Sequence, residues 1–227
     1  ELYPEHDDFA VRISGLPGIG LLGVTFGYLV AMDSPSGRGD GDYHWGTTLW
    51  HEMAHVFTLE ATNHLVPRWY SEGISVFEEW STGPLPGRHI PLVVMDAIRE
   101  GKLLPTAELD SGFIRPTYED QVIVSYMQAG LICQYIEARW GQHGLVTLLR
   151  LFGEDQSTPD AIVNAFSLTL EAFDAGFKEF LDSELAPVID DFASWQAHTQ
   201  EAYQAAERED WPRALEAAER AIALYPE

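Results

Sequence analysis

Cysteine is almost absent from this chain: Cys133 is the single one in 227 residues, so no internal disulfide can hold the fold. It sits in the apolar stretch Gly130–Ile136, where a small buried side chain is favoured over a reactive thiol. Cations are scarce as well. Thirteen lysines and arginines face 36 aspartates and glutamates, and the resulting net charge of −23 opposes binding to phosphate backbones or anionic lipid. Nucleic acid is not expected as a partner. Long apolar runs are also missing, because the best of them, Ile19–Met32, is interrupted by Gly20, Gly23, Thr25 and Gly27 and falls short of the ~20 residues a membrane span needs. Core material is nevertheless ample: 46% of residues are apolar and 12% aromatic, which excludes disorder of the whole chain. The length suits one sizeable domain and an appendage. Glu1 in place of a methionine, and a C-terminal pattern that stops short at Glu227, create the expectation of a longer parent protein with any targeting signal upstream.

Phe9, Val11 and Ile13, and then Val24, Phe26, Tyr28 and Val30, alternate with period two and predict two strands joined by the turn-rich Ser14–Gly20. Asp33–Asp42 is a loop by composition. Its Asp33, Asp40 and Asp42 lack the ligand order of a calcium-binding EF-hand, so a solvated loop is the simpler reading. From Thr47 the period becomes helical, with Leu49, Trp50, Met53, Val56 and Phe57 as the apolar stripe and Thr47 or Thr48 as N-cap. Pro67 ends that segment. Further helices are predicted at about 69–80, 91–100, 117–140 with Gly141 as stop, 144–152, 159–166 and 170–181. The fold class expected is therefore α+β, a small N-terminal sheet before an almost wholly helical remainder.

One motif carries chemistry. His51-Glu52-Met53-Ala54-His55 fits H-E-x-x-H, in which residues four apart on a helix turn both imidazoles toward one metal ion while the glutamate between them points at the metal's open position. Glu72 follows seventeen residues after His55, near the start of the next predicted helix, inside Trp69-Tyr70-Ser71-Glu72-Gly73. His44, His64 and His143 each stand alone and read as surface or capping residues.

The segments Thr48–Phe57 and Pro67–Gly73, with a looser match at Tyr126-Met127-Gln128-Ala129-Gly130, resemble the gluzincin metallopeptidases and, more closely, the peptidase MA-like domains, across most of residues 9–183. That resemblance implies a thermolysin-like fold and one Zn2+ held by His51, His55 and Glu72, with the fourth position left for water. It also implies Glu52 as general base and a later tyrosine or histidine as donor to the oxyanion. Tyr126 is the candidate for that donor, with Tyr118, His89 and Tyr70 as competitors. A peptide substrate would lie along an edge strand near Gly23–Met32, by pairing with its free backbone groups. Val76 stands where thermolysin carries the aspartate that orients the first histidine, so Glu78, Glu79 or a residue elsewhere must take that part. The His55-to-Glu72 spacing is also shorter than thermolysin's. A location outside the cytoplasm is implied by the resemblance alone.

The last thirty residues are alanine-rich, with Ala214, Ala218 and Ala221 at helical steps and Pro226 at the end. They resemble the second half of a tetratricopeptide repeat, which implies a helical hairpin that packs on the preceding domain, continues into further repeats or recruits protein partners. The expected division is 1–190 for the peptidase-like domain, its sheet incomplete at the N-terminus, and 195–227 for the hairpin. The leading expectation is a zinc metallopeptidase; the alternative is a zinc-stabilised interaction module with little or no turnover.

Overall fold

The computed structural model describes residues 1–15, 22–37, 44–81 and 90–224. Two compact units divide the chain, Glu1–Asp174 and Ala175–Glu227. In the first, β1 (Leu2–Tyr3), β2 (Gly23–Phe26) and β3 (Leu29–Asp33) form a sheet in the order β1-β3-β2. β1 runs parallel to β3, and β2 is antiparallel to it with Gly23 opposite Met32 and Phe26 opposite Leu29. The register closes a two-residue turn at Gly27-Tyr28, so the strand expected over 24–30 is a hairpin. Only its first arm, β2, is an edge; β3 is central.

The strand expected at Phe9–Ile13 is instead helix α1 (His6–Ser14). Asp7 and Asp8 in its first turn and Arg12 in its last complement the helix dipole, and Gly15 ends it in a left-handed cap. Phe9 and Ala10 are fully buried while Val11 is half exposed, a helical rather than an alternating pattern.

Helix α2 (Trp45–Ala61) begins two residues ahead of expectation because His44, not Thr47 or Thr48, is its N-cap: Thr47 N–H donates to His44 Nδ1 at 3.2 Å. Helix α3 (Arg68–Ser81) follows after Pro67. Its first turn is capped from outside, with the Trp69 N–H donating to Asp110 Oδ1 at 2.6 Å. Asp110 belongs to α5 (Leu109–Ile114), a short helix not foreseen from the sequence. α4 (Leu92–Arg99) and α7 (Thr158–Phe166) agree with their predicted spans. α6 (Gln121–Gly153) unites two predicted helices across Gly141, whose φ of 70° and ψ of 179° break the helical path. The predicted start at 117 is four residues early, since Thr117 instead donates to the Gln121 side chain.

α3 and α6 cross where side chains vanish. A Cβ on Gly73 would lie 2.7 Å from the Ala129 carbonyl oxygen and 2.9 Å from Cys133 Sγ, and one on Gly130 would lie 2.7 Å from Val76 and Trp80 atoms. Cys133 is fully buried there, and burial pushes its thiol pKa up, so it is a packing residue. Trp69 and Tyr70 lock the other end of α3 against Phe152 of α6, with ring centroids 6.2 and 5.1 Å away. These contacts fix the height and rotation of α3, and hence of Glu72.

α8 (Leu170–Glu207) runs far past the predicted end at 181. Within the second unit its last turns fold back through Arg208–Asp210 onto α9 (Trp211–Leu224), burying Ala205, Ala217 and Ala221 and pairing Glu201 with Arg213 and Arg220. Pro226 lies outside the described residues. Among those described, no helix is long and apolar enough to cross a membrane.

Candidate metal centre

α2 presents His51 and His55 one turn apart, and α3 brings Glu72 against them. Glu72 Oε2 lies 3.1 Å from His55 Nε2 and 3.5 Å from His51 Nε2, and the two Nε2 atoms are 3.1 Å apart. A tetrahedral ion with bonds of about 2.0–2.1 Å sets donor atoms about 3.3 Å apart, so the triangle has the right edges.

Its protonation chemistry agrees. Thr58 Oγ1 donates to the His55 carbonyl at 3.2 Å, so it accepts from Ser71 Oγ at 2.8 Å; Ser71 in turn accepts from His55 Nδ1 at 2.8 Å. The His55 proton is thereby held on Nδ1 and the Nε2 lone pair faces inward. His51 is fixed the same way, its Nδ1 donating to Glu79 Oε1 at 2.5 Å. With both imidazoles neutral, three lone pairs converge on one point and the buried Glu72 Oε2 accepts no hydrogen bond. Such a convergence calls for a cation. In the metal-free protein a proton supplies it: burial alone would lower the pKa of His51, but Glu72 and Glu79 outweigh that and push it up to about 10. Burial likewise opposes ionisation of Glu72, yet the two imidazoles against it, His51 and His55, outweigh that and hold it well below the usual carboxylate range.

The other Glu72 oxygen is restrained from the far side. Oε1 accepts from Arg68 Nε at 3.2 Å and from the Tyr126 hydroxyl at 3.3 Å. Arg68 lies over the ring of Phe113 as well, 5.2 Å from its centroid. Burial, reinforced by the negative charge of Glu72, pushes the Tyr126 pKa up to about 12, so the phenol keeps its proton at neutral pH. Glu52, 6% exposed, points across the cleft at β2, where Thr25 Oγ1 meets its carboxylate at 2.7 Å. Gly23, Thr25, His51, Glu52, Glu72 and Tyr126 line one open cleft of ≈ 390 Å³.

Residues 36–183, about two thirds of the chain, match the family model of the peptidase MA superfamily. The chain belongs to the peptidase MA superfamily. No curated protein and no solved structure matches it. For this superfamily member, His51, His55 and Glu72 form, among the described residues, the one group that could hold a metal ion. Of the tyrosines considered as oxyanion donors, Tyr126 lines the cleft, whereas Tyr70 is fully buried with its hydroxyl donated to the Leu145 carbonyl at 2.6 Å. Tyr118 does not line the cleft, and His89 lies outside the described residues. His44 is a cap, and His64 and His143 lie away from the cluster beside Glu60 and Thr147.

Between the two acids weighed as partner of His51, the contact is made by Glu79. Helical spacing contains that signal, since 72 and 79 are seven apart on one face whereas 78 is turned away. Ser71, Thr58 and Arg68 were not foreseen; Ser71 and Arg68 precede Glu72 by one and four residues, but hydroxyl and guanidinium groups carry no spacing rule that singles them out. Thr25 is remote in sequence and had no signal at all.

Proposed function

We propose that this protein is a zinc-dependent metallopeptidase in which His51, His55 and Glu72 hold one zinc ion, Glu52 is the general base and Tyr126 the donor to the oxyanion. The observation that carries the reading is the convergence of three lone pairs at the floor of an open cleft whose wall is an edge strand. Zinc, when bound there, supplies a Lewis acid that acidifies a water and polarises a carbonyl. The residues of the chain do the rest. A peptide adds to the outer edge of β2 through its backbone, which accepts many side-chain sequences. Glu52 takes the proton of the water that adds to the carbonyl carbon, then returns it to the amine nitrogen as the C–N bond breaks. Tyr126, still protonated at neutral pH, turns its O–H from Glu72 toward the carbonyl oxygen as charge develops on it. Arg68 then remains as the anchor of Glu72.

The test pairs zinc content with turnover. Purified protein should carry about one zinc per chain and cleave fluorescein-labelled casein; Glu52→Gln should keep the zinc and lose cleavage, and His55→Ala should lose both. A wild type that holds zinc but cleaves no member of a diverse peptide library would favour the second reading, a zinc-stabilised interaction module. The observation behind that reading is an apolar stripe on α9, where Trp211, Leu215 and Ile222 are each more than half exposed. It is compatible with kinship to tetratricopeptide repeats, which stack through such faces.

A further inference from the structure

β2 touches the proposed base so closely that it must do more than line the cleft. Thr25 Oγ1 lies 2.7 Å from Glu52 Oε2 and 2.9 Å from the backbone oxygen of the same residue, two acceptors for a single hydroxyl proton. Gly23, two residues earlier and on the same face of the strand, leaves the room for this: a Cβ there would stand 2.8 Å from Glu52 Cγ and 2.9 Å from Oε1. Among the described residues the Glu52 carboxylate makes no other hydrogen bond, so the strand supplies the one polar contact that orients it.

We propose that Thr25 is the positioning residue of Glu52, one that keeps its hydrogen bond in both protonation states of the base. This rests on the peptidase reading above. While Glu52 is ionised, the Thr25 hydroxyl donates to Oε2. Once the carboxyl group has taken up the water proton on Oε2, the same hydroxyl turns its proton to the Glu52 backbone oxygen and accepts from Oε2–H. A proton taken up on Oε1 leaves the original bond unchanged. With the proton on Oε2 the numbers of donors and acceptors at this contact match before and after transfer, and with the proton on Oε1 the new O–H faces the cleft while the Thr25 bond holds, so the contact survives in a site where Glu52 is almost fully buried. A valine of the same shape could do neither. Since β2 is also the strand on which the peptide would lie, Thr25 fixes the distance between the scissile bond and the base through one element.

The experiment compares Thr25→Val with Thr25→Ser in the zinc-loaded protein, using fluorescein-labelled casein over a range of concentrations. Thr25→Val should lower kcat by about 10- to 100-fold, the usual cost of losing such a supporting contact, with KM and zinc content unchanged. Thr25→Ser should restore kcat to within a few-fold. An unchanged kcat in Thr25→Val, a change confined to KM, or failure of serine to rescue would overturn the proposal. A second measurement needs no turnover: in metal-free protein, the thermal midpoints of Thr25→Val, Glu52→Ala and the double variant should be non-additive, the valine costing less once the carboxylate is gone. Additive midpoints would refute the Thr25–Glu52 contact. A wild type without turnover would instead refute the peptidase reading, and the thermal cycle would still decide whether Thr25 holds Glu52.

Discussion

His51 is where a metal ion and a proton would compete. In metal-free protein its pKa stands above the unfolded value of 6.5 at about 10, so its contribution to stability is complete below pH 6.5 and is lost as the pH rises through 10. Glu72 has the opposite sign: its folded value lies below the unfolded 4.5, so its contribution is present above pH 4.5 and is lost only in stronger acid. The pair therefore supports the metal-free fold best between pH 4.5 and 6.5. Urea midpoints measured in chelator should fall steadily from pH 6.5 to 10, and a midpoint independent of pH over that range would count against the His51–Glu72 pairing. A bound metal would remove this slope, because a histidine ligating through Nε2 has no proton there to lose. Around these donors Glu79 and Ser71 have equivalent duties, each fixing the tautomer of one imidazole through Nδ1.

At the scale of elements, the crossing of α3 and α6 decides whether Glu72 reaches the histidines. Gly73→Ala places a methyl group against the Ala129 carbonyl, which is backbone and cannot swing away. The helices must separate, and a shift of a few tenths of an ångström at residue 73 is transmitted to residue 72. We expect a lower thermal midpoint and at least tenfold weaker zinc binding, measured by competition with a chelating dye; unaltered zinc affinity would show that α3 tolerates the displacement. The same elements show what was legible beforehand. The α2–α3 pair could be read because H-E-x-x-H and Glu72 lie on strongly periodic helices, and the turn at Pro67 is marked by proline. A small N-terminal sheet could be expected too, but not its layout. Phe9, Val11 and Ile13 satisfy an alternating pattern and a one-sided helix about equally over five residues, and only the burial of Ala10 and exposure of Val11 separate them. The hairpin turn at Gly27-Tyr28 hid inside a continuous apolar stretch. α5 escaped because six residues hold too few turns to show a period.

For the whole molecule, all of the candidate site falls within the unit Glu1–Asp174, while α9 belongs to Ala175–Glu227. Zinc, if it takes the proposed site, would bind only the folded first unit, so by mass action it should raise the melting temperature of that unit, by the equivalent of about 2.7 kcal/mol at a hundredfold excess over Kd. Calorimetry should then resolve one zinc-dependent transition and one indifferent to it; a single transition moving as a whole would mean that the two units melt together. The family match begins at residue 36, after the sheet has ended, so Gly23 and Thr25 stand outside it. Kinship thus covers His51, His55, Glu72 and Glu52 but not β2, the edge expected near Gly23–Met32, and the contact of Thr25 with Glu52 emerges only in three dimensions.

The three donors lie within residues 51–72, on two consecutive helices joined by a link of a few residues. The loop that a bound ion would close is accordingly short, and closing it costs less entropy than joining more distant parts of the chain, by about 0.6 kcal/mol for each doubling of length. Low sequence separation favours early contact, so the α2–α3 pair is expected to form before Tyr126, 54 residues from Glu72, joins it. An ion captured by this helix pair would be in place while Tyr126 was still unattached, so that the protein would acquire its metal before its chemistry was complete.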